Sequence, residues 1–133
     1  MRAPVYYSDY LRLDRLLSSQ EPESAKVGIN AHDEMLFIIV QQAYELWFKQ
    51  ILHELNRIET DFGTIPVTDD AMARVVHGLN RVHEILKLVV FQLDVLETMT
   101  PVDFLDFREL ADASLGLPVP AVPADRDAAR LAA

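Results

Sequence analysis

From Asn30 to Phe62 apolar residues recur at helical spacing, at Met35, Ile39, Ala43, Leu46, Trp47, Ile51, Leu55, Ile58 and Phe62. The pattern holds for about eight turns. A helix of that length is stable in water only if another element covers its apolar side. Asn30 is the expected N-cap, with Asp33 and Glu34 at the positive end of the dipole. Gly63 is the expected stop, and Pro66 prevents continuation. A second periodic run starts at Thr68-Asp69-Asp70. Its expected stripe is Met72, Val75, Val76, Leu79, Val82, Leu86, Val89, Val90, Leu93 and Leu96. The link between the runs is only a few residues, so the two helices must form an antiparallel hairpin.

Two shorter helices flank this hairpin. Leu11, Leu13, Leu16 and Leu17 give an apolar side to a first helix from about Ser8 or Asp9 to Ser18. A polar connector, Gln20 to Gly28, holds Pro22 and Ser24. Thr100-Pro101-Val102-Asp103 opens a last helix, ending near Ala111 to Leu115, with a capping threonine, a proline in the first turn and an acid at the dipole. Leu117 to Ala124 carries Pro118, Pro120 and Pro123 without helical period. The expected organisation is one all-α domain over 1–116, a long antiparallel helical hairpin with short N- and C-terminal helices, and a Pro/Ala-rich tail over 117–133.

Composition removes several classes of function. The 133 residues fit one domain. Twelve Lys and Arg against 21 Asp and Glu, a net charge of −9, oppose nucleic-acid binding and an anionic membrane surface. The chain has no cysteine, which excludes disulfides, thiolate chemistry and Cys-ligated metals. The N-terminus does not read as a signal peptide, and no run is apolar enough for a membrane span. A cytoplasmic location is the corresponding expectation.

The histidines, His32, His53, His77 and His83, form neither a Glu-x-x-His pair nor an HExxH motif, so ordinary surface or core positions are their plain reading. Phe37, Tyr44, Trp47 and Phe48 read plainly as core aromatics. Arg108 reads plainly as an exposed ion-pair partner. Yet Phe104, Phe107 and Arg108 share an i, i+3, i+4 spacing and can face one pocket. Such a pocket would hold a flat aromatic body against the rings and a carboxylate in the guanidinium fork.

Four blocks in order carry a family resemblance: Tyr7-Ser8-Asp9-Tyr10-Leu11-Arg12-Leu13, His32 to Leu55, Ile85-Leu86-Lys87-Leu88 leading into Leu96 to Pro101, and Asp103-Phe104-Leu105-Asp106-Phe107-Arg108. They resemble tryptophan 2,3-dioxygenases over about Tyr6 to Gly116. The resemblance implies an all-helical homo-oligomer (dimer or tetramer) with heme b. The implied reaction inserts both atoms of O2 across the indole C2–C3 bond of L-tryptophan, or of a related indole amino acid, to give N-formylkynurenine. It implies that Phe37 and Phe107 line the indole pocket and that Arg108 grips the carboxylate. Tyr7, Tyr10 and Leu11 would be lent to a neighbouring subunit.

Three departures accompany the resemblance. Gln41 stands at the distal position where the family has histidine. Phe104 stands where the family has a tyrosine whose hydroxyl assists the carboxylate. The family's proximal histidine, the iron ligand, lies downstream in a half of the fold that this sequence does not contain, and no histidine here matches it. The alternative is a shortened, non-catalytic helical oligomer binding an aromatic amino acid or a protein partner.

Overall fold

The computed structural model describes residues 5–63 and 65–114, with the backbone alone for 111–114. The tail expected at 117–133 lies outside the described residues. The elements are α1 (Tyr7–Leu11), α2 (Leu13–Leu16), α3 (Glu23–Lys26), α4 (Glu34–Phe62), α5 (Asp69–Leu96) and α6 (Pro101–Ser114). The frame is the α4–α5 hairpin, with α3 lying against α6. Its strands of charge confirm the antiparallel register: Arg74 reaches back to Asp61 at 2.6 Å, and Arg81 to Glu54 at 2.7 Å. Among the described residues no helix is long and apolar enough to cross a membrane.

The period expected for both long helices is correct, and the phase holds only in part: of the expected stripes Ile58 and Val75 are buried in the seam. The seam buries Val40, Tyr44, Glu54 and Ile58 of α4 against Ala71, Val75, Gly78 and Ile85 of α5. Met35, Ile39, Leu46, Leu55 and Phe62, expected to be buried, are exposed, as are Met72, Val76, Leu79, Leu86, Val90 and Leu93. Each long helix is apolar on more than one side, so periodicity alone does not select the side that meets its neighbour. Close approach does. A Cβ on Gly78 would lie 3.2 Å from Cδ1 and Cγ1 of Ile58, so the glycine lets the Ile58 side chain of α4 pack closely against α5.

Helix ends follow local chemistry with two corrections. Thr68 caps α5, its hydroxyl accepting the Ala71 N–H at 3.2 Å. At α6 the Asp103 N–H donates to the Thr100 hydroxyl (3.3 Å) while the Thr100 N–H donates to the Asp103 carboxylate (3.2 Å), a reciprocal box. Helix α4 begins at Glu34 rather than Asn30, and Asp33 makes no side-chain capping bond. The first expected helix is two, broken at Arg12, whose φ of 54° places it in the left-handed region; nothing in the residue type announces this. The polar connector of Gln20 to Gly28 contains a helix, α3, that the sequence reading does not place.

Candidate functional site

The first turns of α4 and the body of α6 meet through three rings. Phe37 lies 5.9 Å from Phe104 and 5.5 Å from Phe107 between ring centroids, and Phe104 and Phe107 are 5.5 Å apart at 85°. These separations are those of favourable tilted and edge-on pairs. The Arg108 guanidinium carbon is 6.0 Å from the Phe104 ring centre, within cation–π reach. Residues far apart in the chain, around 37 and around 108, therefore form one cluster of rings with a cation at its edge. Gln41 stands one turn after Phe37 on α4 and is exposed, on the same side of the helix by its i, i+4 spacing.

The cluster has an inner and an outer part. Phe107 is fully covered, at 0% exposure, and backs the other two rings instead of presenting a free face. Phe37 and Phe104 are half-buried, and Arg108 is exposed. Tyr7, Tyr10 and Leu11 are not gathered into it. They lie on α1, which packs against α2, and are 74%, 75% and 40% exposed.

The histidines take ordinary positions. All four are exposed. His77 lies 2.9 Å from Arg81 through its Nε2. His53 is on α4 about 18 Å along the helix from Gln41, and His77 and His83 flank Arg81 on α5. An iron-bound porphyrin would need an imidazole or comparable donor, and the ring cluster of Phe37, Phe104 and Phe107 offers none. Among the described residues there is likewise no cluster of three or more His, Cys, Asp or Glu suited to a metal ion. These residues make an aromatic wall and do not fit heme as a ligand set.

Ser24, Glu34 and Glu54 are buried polar groups that the sequence reading does not identify. Glu54 is 5% exposed within the hairpin seam, where its carboxylate accepts from Arg81 (2.7 Å) and Gln50 (2.7 Å). Its interval from Ile51 and Ile58 in an apolar run was the available signal. The hydrogen bond from Arg81, reinforced by its charge and by Gln50, holds the Glu54 carboxyl below its ordinary value against the opposing effect of burial. A lowered folded-state value stabilises the protein above the ordinary glutamate pKa of about 4.3, and the contribution is lost as pH falls through the folded value. Arg81→Ala is expected to cost about 2 kcal/mol at pH 7, since a mostly buried carboxylate loses its charged partner while Arg81 itself is half in water. Urea unfolding between pH 7 and 3 should show a stability loss on acidification in the parent that is shallower in the variant.

An all-helical chain built on a long hairpin, with an aromatic cluster where the last helix crosses its open end, is the class of protein that the fold defines. The model of the tryptophan 2,3-dioxygenase family matches residues 1–117. The chain is 53% identical over 106 residues to the tryptophan 2,3-dioxygenase of Alteromonas mediterranea, covering 80% of this chain and 29% of that protein. It is 55% identical over 106 residues to that of Dictyostelium discoideum (80% and 26%), and 50% identical over 113 residues to that of Xenopus tropicalis (84% and 28%). This chain belongs to the tryptophan 2,3-dioxygenase family, and it spans under a third of the length of these relatives.

Proposed function

We propose that the chain forms the substrate-facing part of a heme-dependent oxygenase that cleaves the indole C2–C3 bond of L-tryptophan with O2, giving N-formylkynurenine. The observation that carries this reading is the meeting of Phe37, Phe104 and Phe107 beside Arg108. The half-buried Phe37 and Phe104 offer apolar faces to an indole, backed by Phe107, and the guanidinium offers a planar fork to the amino-acid carboxylate. The Gln41 amide oxygen accepts the indole N–H and so orients the ring. An amide is no base, so Gln41 holds the proton in place and does not remove it. Phe104 brings no hydroxyl to the carboxylate, which leaves Arg108 as the principal anchor.

Heme b, when bound, supplies the iron at which O2 is activated. The described residues of the ring cluster do not suit the iron, so the group that would hold it would have to be supplied elsewhere in the assembled protein. The exposed α1, with Tyr7, Tyr10 and Leu11, reaches toward a second copy in a homo-oligomer. The names of the relatives support the oxygenase reading over a non-catalytic oligomer.

The test reconstitutes the chain with hemin in the presence of the C-terminal part of the Alteromonas relative. A stoichiometric heme complex whose Soret band shifts with L-tryptophan is the expected result. A chain that takes up no heme in that mixture, yet remains oligomeric, would favour the binding-protein alternative. In the same mixture Gln41→His is expected to raise turnover by about tenfold or more, because an imidazole restores a group able to exchange protons. Steady-state assay of N-formylkynurenine checks this, and an unchanged rate would show that position 41 does not face the substrate.

A further inference from the structure

We infer that Glu34 is a positioning residue for the Phe37–Arg108 cluster, acting as a clamp that holds α3 against α6. The carboxylate opens α4, yet it is only 4% exposed and its bonds go elsewhere. Its Oε1 accepts the N–H of Glu23 at 2.8 Å and its Oε2 accepts the N–H of Ser24 at 3.1 Å. Those are the first two amides of α3, groups that a helix leaves without internal partners. The residue before α3, Pro22, provides no side-chain cap.

A helix of four residues does not persist alone in water. Here a charge from a distant helix completes its N-terminus, through two charge-assisted bonds made by one carboxylate. The same α4 also pins the front of this connector. Gln42 donates to the Ser19 carbonyl at 3.1 Å and accepts from Gln20 at 2.6 Å. The segment between α2 and α4 is thus tied to α4 at two places, 19–20 and 23–24.

The clamp bears on the cluster because α3 lies against α6 and Ser24 within it is 2% exposed. Helix α4 therefore holds α6 by two routes: directly, through Phe37 against Phe104 and Phe107, and indirectly, through Glu34 and α3. Loss of the second route leaves α6 free to shift relative to Phe37, which changes the spacing between the rings and Arg108. The consequence for substrate rests on the function proposed above; the consequence for ring geometry does not.

Three variants test the clamp. Glu34→Ala removes both bonds. Glu34→Gln keeps one accepting oxygen. Glu23→Pro removes only the donor amide at 23: proline suits the first helical position, and Pro22 before it already has the extended backbone (ψ 125°) that a following proline requires. Glu23→Ala controls for the loss of the surface pair with Lys26. Two readouts are taken well below the unfolding midpoint: NOEs among the Phe37, Phe104 and Phe107 rings, and the dissociation constant for L-tryptophan by calorimetry.

The inter-ring NOEs are expected to weaken in Glu34→Gln and Glu23→Pro, and most in Glu34→Ala. The dissociation constant should rise about tenfold in Glu34→Ala, and Glu23→Ala should match the parent. Unaltered NOEs in both single-bond variants would overturn the inference, as would a fall in thermal midpoint with ring geometry and affinity unchanged. A parent that binds no tryptophan, with variants that still loosen the ring cluster, would refute the substrate assignment and uphold the clamp.

Discussion

Phe107→Ala is expected to lower the unfolding free energy by about 3–4 kcal/mol, the largest stability effect of any single truncation considered for α6. The ring has no exposed surface, so its removal forfeits the full transfer free energy of a phenyl group and leaves a cavity that the neighbours fill only in part. It also removes a tilted ring contact to Phe37 and an edge-on one to Phe104. Phe104→Ala should cost clearly less, because that ring is already half in water. Urea titration followed by far-UV circular dichroism measures both. A loss below about 1 kcal/mol for Phe107→Ala would mean that α6 is not seated on α4 in solution.

Arg108→Ala is expected to weaken L-tryptophan binding by about 30- to 100-fold while leaving stability nearly unchanged. A hydrogen-bonded pair between a guanidinium and a carboxylate contributes about 1.5–3 kcal/mol, and tenfold in affinity corresponds to about 1.4 kcal/mol. Arg108 is exposed, so its truncation opens no cavity. Arg108→Lys should fall between the two, since an ammonium lacks the planar two-pronged fork. Calorimetric titration with L-tryptophan and with tryptamine separates the causes. Tryptamine has no carboxylate, so its affinity should be insensitive to the substitution. Equal losses for both ligands would place Arg108 in a role other than carboxylate recognition.

The cluster these two substitutions probe was partly legible in the chain. Phe104, Phe107 and Arg108 share a helical face by spacing alone, and Thr100-Pro101-Val102-Asp103 marks where that helix starts. Spacing did not distinguish the buried backing ring, Phe107, from the half-exposed Phe104, because both positions satisfy the same interval. Resemblance to a family, not periodicity, singled out Phe37 and Gln41 from the other residues of α4. The arm residues Tyr7, Tyr10 and Leu11 were legible only as a motif. Among the described residues they stand on α1, which packs against α2, and they are not part of the ring cluster.

What the sequence by itself determined is the helical class, the antiparallel hairpin and the capped starts of α5 and α6. Each depends on neighbours within a few residues, where hydrogen-bond geometry and the 3.6-residue period act without reference to the rest of the fold. Tertiary structure alone decided which side of α4 meets α5, that Glu54 and Glu34 are buried, that α3 forms and that Arg12 breaks the first helix. Both long helices carry apolar residues on more than one side, so periodicity alone does not select the pairing. The side of α4 that meets α5 is marked by close approach at Gly78 and by the Arg81–Glu54 bond across 27 residues, while Glu34 joins α4 to α3 across 10 and 11.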